Sequence, residues 1–165
     1  MTAISQALHC LAARHLHPRV LIVADLRQPA TANRLTVLDL LGPHPRVILR
    51  ATVAAGAGGI GDRPNSHASA PGLYAIGMPY IGQHGTAWRL QGLTRSDWRA
   101  ASRSIVLHSA PYVVGGWAGR SWGCPAVSRE TLAALRPWLP PKGAAALWIQ
   151  APGARCAGRN LADAP

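Results

Sequence analysis

The sequence predicts a mainly β domain with one or two short helices. About seven short runs of apolar or alternating residues have the length of strands, and only a few segments have a helical pattern. The chain of 165 residues contains 17 glycines and 14 prolines, which favours short strands joined by turns. With 48% hydrophobic residues, it is long enough for one domain with a core and too short for two comfortable ones.

The N-terminal part combines a helix with three strands. Ile4, Leu8 and Leu11 are spaced for one face of a short helix within residues 2–15. Three apolar or alternating runs, separated by turn residues, then predict strands. These strands cover Arg19 to Ala24, Leu35 to Leu40 and Arg46 to Ala54.

The second half continues with short strands and at least one more helix. Strands are predicted at Leu73 to Ile76, Thr86 to Gln91, Ser104 to Leu107 and Ala144 to Gln150, with a turn from Tyr80 to Gly85. The segment from Leu93 to Ala101 predicts a helical turn or two, with Thr94 or Ser96 as its cap. Ser128 is the predicted cap of a helix that ends near Arg136, because prolines follow.

The chain is strongly basic, with a formal net charge of +11 from 17 Lys and Arg against 6 Asp and Glu. Lys142 is the only lysine. Such a surface attracts polyanions, and both nucleic acid and a polymer with free carboxylates fit that description. The arginines are scattered without a basic run, so the sequence does not indicate a nucleic-acid interface, and a general arginine bias explains the charge equally well.

The three cysteines, Cys10, Cys124 and Cys156, cannot all pair within one chain. A bridge between Cys10 and Cys156 would join the two ends and leave Cys124 free, as an oxidising compartment would permit. No Cys-x-x-Cys is present, and His15 and His17, two positions apart on a helix, would face different directions. No metal site is therefore predicted.

No apolar run reaches the ~18 residues of a membrane span. Residues 1–20 contain several histidines and arginines and no continuous apolar segment, so no secretory signal is readable. We divide the chain into an N-terminal extension at 1–18 that includes the helix, a domain at 19–150, and a tail at 151–165. The tail is rich in Gly, Ala and Arg, and we expect it to be poorly ordered.

The candidate chemistry lies between Ile105 and Val127. A strand delivers His108, and a loop with four glycines delivers Cys124. A thiol is only a few per cent thiolate at neutral pH, so it needs a nearby base, which an imidazole supplies. Glycine neighbours let the cysteine backbone approach a substrate carbonyl. An inert core cysteine in a flexible loop is the other interpretation of the same residues.

This segment resembles the catalytic motif of the L,D-transpeptidases of the YkuD type. Their pattern is a His with a small residue, a variable loop and then Ser-x-Gly-Cys, and here it is His108-Ser109 followed by Ser121-Trp122-Gly123-Cys124. Trp122 stands where many members have His, and Ser109 where many have Gly. The carbonyl of residue 109 survives that change.

The resemblance extends over most of the chain, from about Arg19 to Gln150. The string Gly-Arg-Ser-Trp-Gly-Cys-Pro-Ala at 119–126 is similar to one branch of the family. That branch often carries a Ser-containing segment before Gly-x-Tyr, which matches Tyr74, and a Tyr-x-Gly-x-His-Gly string, which matches residues 80–85. The resemblance implies a fold of the YkuD type, a β-sandwich or open barrel.

The resemblance also implies an activity, peptidoglycan L,D-transpeptidation, and a role for each motif residue. Cys124 would attack an L-to-D amide of a stem peptide and form a thioester, with His108 as base or as the partner of a thiolate–imidazolium pair. The backbone carbonyl of Ser109 would orient the imidazole. The backbone N–H groups of Gly123 and Cys124 are candidates for the oxyanion hole. No metal or cofactor is needed.

Five side chains are candidates for contacts with the substrate: Arg120, Ser121, Trp122, Tyr74 and His84. Arg120 is suited to grip a stem carboxylate, or to pin the loop by a salt bridge or backbone hydrogen bond. Ser121 would bond within the loop or to substrate, and Trp122 would form a wall. A structural role is the better expectation for His84.

Several functional alternatives stay open. Water could resolve the thioester, which would make the site an L,D-carboxypeptidase or amidase. A basic nucleic-acid-binding protein and a wall-binding domain without catalysis are the alternatives from other classes, although we expect no nucleic-acid partner. The family works outside the cytoplasmic membrane, which implies the periplasm or cell envelope. The L-to-D bond that is cleaved and the oligomeric state are not predicted.

Overall fold

The computed structural model describes residues 1–158 and confirms the mainly β architecture. Its main element is an eight-stranded sheet that curls into a nearly closed barrel. In chain order the strands of this sheet are β1 (Val20–Asp25), β2 (Leu35–Asp39), β3 (Arg46–Ala51), β5 (Gly72–Gly82), β6 (Gly85–Gly92), β7 (Val106–Ser109), β11 (Ala126–Val127) and β12 (Ala145–Gln150). Two small ladders beside it are formed by β4 (Ala55–Gly56), β8 (Val113–Val114), β9 (Trp117–Ala118) and β10 (Arg120–Ser121).

Most neighbouring strands of the barrel sheet run antiparallel. The spatial order is β11-β7-β6-β5-β12-β1-β2-β3. Two pairs within it are parallel, β1 with β12 and β7 with β11. Because β11 is an edge strand, the parallel pair that carries the motif residues lies at one edge of the sheet.

Alternate residues of the strands fill the two sides of the sheet. Val20 and Ile22 of β1 face the barrel interior, whereas Leu21 and Val23 pack in a second cluster with the N-terminal helix. Since β1 is buried on both faces, its sequence is a continuous apolar run rather than an alternating one.

Helix α1 (Ala3–Ala13) covers the outside of the sheet. Thr2 caps it, because the Thr2 hydroxyl accepts the N–H of Ser5 at 3.1 Å. The residues that it buries are Ala3, Ala7, Cys10 and Leu11. Of the predicted face, Leu11 is buried, whereas Ile4 and Leu8 are only partly buried and Ala3, Ala7 and Cys10 complete the contact with the sheet.

Helix α2 (Arg129–Leu135) follows the motif and confirms the predicted cap. The Ser128 hydroxyl accepts the N–H of Thr131 at 3.1 Å. Leu132 and Leu135 then pack into the barrel interior. Across residues 1–158, neither helix combines the length and the apolar character that a membrane crossing requires.

Two local predictions differ from the structure. Strand β5 continues to Gly82, so the predicted turn from Tyr80 to Gly85 shortens to residues 83–84. The segment from Leu93 to Ala101 forms successive turns instead of a helix. Asp97 draws this segment inward, where a Cβ added at Gly72 or at Gly92 would collide with it. Tertiary packing therefore overrides the local helical pattern.

Residues 151–158 are held to the rest of the domain. Cys156 forms a disulfide with Cys10 of α1, and the N–H of Arg95 donates to the carbonyl of Ala157 at 3.2 Å. The expectation of a poorly ordered tail is therefore wrong for this part, and residues 159–165 lie outside the described residues. The disulfide leaves Cys124 as the free cysteine.

Candidate active site

Strands β7 and β11 bring the two halves of the motif side by side. Their parallel register pairs His108 with Ala126 and Ser109 with Val127. Cys124 precedes β11 by two residues and lies beside Val106, whose N–H is 3.5 Å from the cysteine Sγ. Ladder spacings put the Cα atoms of Cys124 and His108 about 8 Å apart. Within residues 1–158 their side chains form no hydrogen bond with each other.

The imidazole of His108 is oriented by the backbone. Its Nδ1 lies 3.0 Å from the carbonyl oxygen of Ser109. A carbonyl can only accept, so Nδ1 carries the proton and Nε2 carries the lone pair. Burial lowers the pKa of His108, and the neighbouring His84 lowers it further, although the Ser109 carbonyl opposes the change. The resting side chain is therefore a neutral imidazole.

The thiol of Cys124 is half-buried against the barrel core. Burial raises the pKa of Cys124, while the Val106 N–H and the positive charge of Arg103 lower it. The net direction is upward, so the resting form is a thiol. Together with the neutral His108, this favours proton transfer during the reaction over a standing thiolate–imidazolium pair.

Ser121 holds the loop that presents the thiol. Its hydroxyl donates to the carbonyl of Cys124 at 2.6 Å and accepts the N–H of Gly123 at 3.1 Å. Ser121 is buried, so it acts within the loop instead of facing substrate. Gly123 has a φ of +111°, and a Cβ there would lie 2.6 Å from the carbonyl oxygen of Ala68. Only glycine fits that position.

These bonds also correct the predicted oxyanion hole. The Gly123 N–H is already bound to Ser121, so it is not a free donor. Among the described residues, the N–H of Cys124 has no hydrogen-bond acceptor. Of the two predicted donors, the structure therefore leaves the one on Cys124.

Two aromatic stacks flank the site. His84, in the turn after β5, stacks on His108 with ring centroids 4.1 Å apart, and it covers an imidazole that is only 1% exposed. Trp122 is 75% exposed and stacks flat on His67 at 4.5 Å. His84 thus contacts the candidate base directly, and Trp122 projects from the nucleophile loop as a wall backed by His67.

Tyr74 does not border the cleft as predicted. It is completely buried in the barrel interior, and its hydroxyl donates to the carbonyl of Ala70. Its position in β5, paired with Leu147 of β12, points the ring into the core. Burial raises the pKa of Tyr74 well above its usual value. Tyr74 is therefore a core residue with a satisfied hydroxyl.

Arg120 lies apart from the thiol. It is exposed on β10 and lines a cleft of about 640 Å³ together with the buried Arg34. Neither Cys124 nor His108 lines this cleft. The structure thus brings Cys124, His108, Ser109 and His84 together and places Arg120 on a neighbouring surface.

Two residues near the Cys124 sulfur, Arg103 and Tyr112, were not predicted from the sequence. Arg103 makes an ion pair with Asp62 at 3.0 Å, and its charge reaches the Cys124 thiol. Tyr112 is also within electrostatic range of Cys124, which adds to the rise in the pKa of Tyr112 caused by its burial. In the sequence, the one hint to their role is that they lie on either side of the strand that carries His108. The ion pair itself could not be predicted, because Asp62 is 41 residues from Arg103.

The family model for the L,D-transpeptidase catalytic domain matches residues 1–142. The chain belongs to this family. The match covers most of the chain, includes both His108 and Cys124, and confirms the resemblance found in the motif. No curated protein matches the chain.

Solved structures from several bacteria are similar to this family member. Bd1075 of Bdellovibrio bacteriovorus has 20% identity and a TM-score of 0.55, with 80% of this chain and 48% of that chain covered. An L,D-transpeptidase from Mycobacterium smegmatis has 19% identity and a TM-score of 0.51, with coverages of 82% and 60%. The helical cell shape determining protein Pgp2 of Campylobacter jejuni, in its K307A mutant, has 14% identity and a TM-score of 0.60, with coverages of 80% and 47%.

These identities establish a shared fold and leave the activity to be argued from the site. The chain spans about half to three-fifths of the length of these structures. Within the part that the structure describes, no group of three or more His, Cys, Asp or Glu is arranged to hold a metal ion.

Proposed function

We propose that this L,D-transpeptidase family member is a peptidoglycan L,D-transpeptidase that acts through a thioester on Cys124. The observation that carries the proposal is the parallel register of β7 and β11, which sets Cys124 two residues from His108 across the ladder. An imidazole and a cysteine side chain together are long enough to span a separation of about 8 Å between Cα atoms. Catalytic hydrogen bonds are often long in the free enzyme and tighten when substrate binds.

The first half-reaction transfers an acyl group to sulfur. The Cys124 thiol gives its proton to Nε2 of His108 as Sγ attacks the carbonyl carbon of an L residue. The oxyanion forms within reach of the Cys124 N–H, which stabilises it. The amide C–N bond then breaks, and His108 returns the proton to the amine of the departing D-residue. A thioester remains on Cys124.

The second half-reaction restores the enzyme. An amine from a neighbouring stem gives its proton to His108 and attacks the thioester carbonyl. The C–S bond breaks, an amide cross-link forms, and the proton returns to the sulfur. The chemistry is proton transfer and acyl transfer, which the described side chains supply. The link would join two diaminopimelate residues, or an L-Ala to a diaminopimelate, according to the donor bond.

The disulfide supports a place in the cell envelope. Disulfides persist in oxidising compartments such as the periplasm and are rare in the cytosol. Cys10 and Cys156 are paired, and the substrate of the proposed reaction is also outside the cytoplasmic membrane. We therefore propose the periplasm or cell envelope as the site of action and the stem peptides, donor and acceptor, as partners.

Product analysis tests the proposed function. Purified protein is incubated with disaccharide–tetrapeptide muropeptides, and the products are separated and identified by mass spectrometry. We expect cross-linked dimers with the native protein, none with Cys124→Ala, and roughly 10²-fold to 10⁴-fold less with His108→Asn, which removes the base. If the only products are trimmed monomers, the site hydrolyses the thioester and is not a transpeptidase. Dimers formed by Cys124→Ala would refute the mechanism.

A further inference from the structure

The cleft that holds Arg34 and Arg120 is separate from the thiol and has no role in the reaction described so far. We call it the arginine cleft. Its floor is made of small residues, including Ala55 and Gly56 of β4, and Trp117 stands at its rim, 51% exposed. Within residues 1–158, two guanidinium groups line it and no acidic residue does.

Arg34 is a buried cation that has no carboxylate partner among the residues that the structure describes. It is 9% exposed, and its three hydrogen bonds in residues 1–158 all go to backbone carbonyls. Nε and Nη2 donate to Val53 at 3.0 and 2.9 Å, and Nη1 donates to Gln28 at 2.8 Å. Carbonyl dipoles orient a guanidinium but do not neutralise it, so the positive charge remains on a residue that lines the cleft.

The bonds of Arg34 also leave donors for a ligand. A guanidinium has five N–H groups, and three of them are used. One N–H remains on each terminal nitrogen, Nη1 and Nη2. Two neighbouring N–H groups match the two oxygens of a carboxylate.

Arg120 adds a second charge on the same wall. It is exposed, and among the described residues it forms no ion pair or side-chain hydrogen bond. The alternative role considered for it, a salt bridge that pins the loop, is therefore not present. The small lining residues leave a cavity of about 640 Å³ that both arginines line.

The arginine cleft is close to Cys124 along the chain, because one of its lining residues, Arg120, belongs to the same short loop. Arg120 is followed by Ser121, whose hydroxyl binds the carbonyl of Cys124. Arg120 lies four positions before Cys124, and an extended segment of four residues spans at most about 14 Å. A peptide donor bound with one carboxylate in the cleft thus has its backbone within reach of the sulfur.

We propose that the arginine cleft binds a carboxylate of the stem peptide through Arg34 and Arg120 and so sets which amide meets Cys124. This inference rests on the proposed function for the identity of the peptide. A carboxylate is favoured because the stem peptide carries several and because the free Arg34 donors form a planar fork. Arg34 and Arg120 are positioning residues for the donor, and the carboxylate is either that of its C-terminal D-Ala or one further inside the peptide.

Binding to an inactive protein tests the proposal apart from catalysis. The Cys124→Ala protein is titrated by calorimetry with a tetrapeptide that joins L-Ala to D-Glu and diaminopimelate to D-Ala. Two matched peptides are compared with it, one amidated at the C-terminus and one amidated at the inner carboxylates. We expect one amidated peptide to bind at least roughly tenfold more weakly, because it loses charge-assisted hydrogen bonds. The position of the amide in the weaker peptide shows which carboxylate binds in the arginine cleft.

Variants made in the Cys124→Ala protein assign the effect to the cleft. In Arg120→Gln the acid and amidated peptides should bind alike, at the level of the weaker one. Arg34→Lys keeps the charge and loses the fork, so it should lose most of the discrimination, and its thermal midpoint reports whether it folds. Arg129→Gln is the matched control, because Arg129 is exposed at the start of α2 and does not line the cleft. It should change nothing.

Three results would overturn the proposal. These are equal affinity for all three peptides, an equal loss in Arg129→Gln, and no measurable binding of the tetrapeptide at millimolar concentration. Failure of the native protein to form cross-links would refute the proposed function and would not alter any of these affinities. The two outcomes are therefore distinguishable.

Discussion

The side chains of Cys124 and His108 are both neutral in the resting site, so they do not form a thiolate–imidazolium pair. Burial raises the pKa of the thiol and lowers the pKa of the imidazole, so both favour their neutral forms. Nδ1 of His108 is held by the Ser109 carbonyl, which leaves Nε2 as the base. The site therefore resembles a serine-type arrangement, in which the proton moves as the nucleophile attacks.

The pH dependence of alkylation at Cys124 follows from these shifts. Because the thiol pKa is raised, the thiolate fraction at neutral pH is smaller than for a free cysteine, whose pKa is about 8.5. We expect labelling by iodoacetamide to be slow at pH 7 and to rise without a plateau through pH 9. Cys124→Ala is the control, since the other cysteines are paired. A rate that is already constant below pH 6 would indicate a standing ion pair.

Some of these site residues could be predicted from the sequence, and others could not. The motif placed Cys124, His108 and Ser109 on a strand and a loop that the structure brings together, because a parallel ladder joins them. It could not distinguish Tyr74 in the core from Tyr74 in the cleft, since strand alternation depends on which face the barrel closes over. It also could not find Arg34, whose neighbours at Val53 and Gln28 meet it only in the fold.

At the scale of elements, a buried ion pair joins the loop before β5 to the turns that precede β7. The Arg103 and Asp62 side chains are 6% and 9% exposed. Arg103 also donates to the carbonyl of Ala68 at 2.6 Å, next to the place where Gly123 packs. The pair thus connects the glycine-rich loop, the β7 strand and the nucleophile loop.

Replacing one partner of this ion pair should lower the free energy of unfolding more than replacing both partners. Arg103→Gln leaves the Asp62 carboxylate buried without its partner, so we expect the free energy of unfolding to fall by about 3 kcal/mol. The double variant Arg103→Gln with Asp62→Asn should recover part of that loss. Urea denaturation of the three proteins measures the effect. A double variant that is less stable than Arg103→Gln alone would contradict the account.

The turns from Leu93 to Ala101 depend on a buried carboxyl. Asp97 Oδ1 accepts from the N–H and the hydroxyl of Thr94, at 2.7 and 2.9 Å, while Oδ2 has no partner among the described residues. Burial raises the pKa of Asp97 to about 7. The sequence predicted a helical turn or two with Thr94 or Ser96 as the cap, and the Asp97 side chain instead anchors a series of turns.

This carboxyl should make stability depend on pH. The folded-state pKa lies above the unfolded value of about 3.9, so the folded state binds the proton more tightly. The stabilisation is complete below pH 4 and is lost as pH rises through about 7. Asp97→Asn keeps the Oδ1 acceptor, and its thermal midpoint should vary less than that of the native protein from pH 4 to 7. Identical slopes would contradict the assignment.

At the scale of the molecule, the disulfide joins the two ends of the described chain. Cys10 lies in α1, on the outside of the sheet, and Cys156 lies beyond β12. The predicted division into an extension at 1–18 and a domain at 19–150 stays a prediction, but α1 packs against the sheet as part of its outer core. The spacing of the cysteines left the pairing open, because only the fold brings residues 146 positions apart together.

Removing the disulfide should destabilise the protein without touching the site. A Cys10→Ser, Cys156→Ser variant should lose roughly 2–5 kcal/mol of unfolding free energy, since the closed loop is long. Dithiothreitol should lower the stability of the native protein by a similar amount and leave the variant unchanged. Thiol titration of the unfolded, unreduced native protein should give one free thiol. A titre of three would contradict the pairing.

The covalent intermediate is the most direct test of the account. The native protein is mixed with a tetrapeptide whose free amines are acetylated, so that no acceptor amine is present, and is then quenched with acid and mapped by mass spectrometry. We expect an adduct on Cys124 equal in mass to the donor minus its departing D-amino acid, absent from Cys124→Ala and discharged when an amine is added. Turnover of the donor by Cys124→Ala, or an adduct on any other residue, would contradict it.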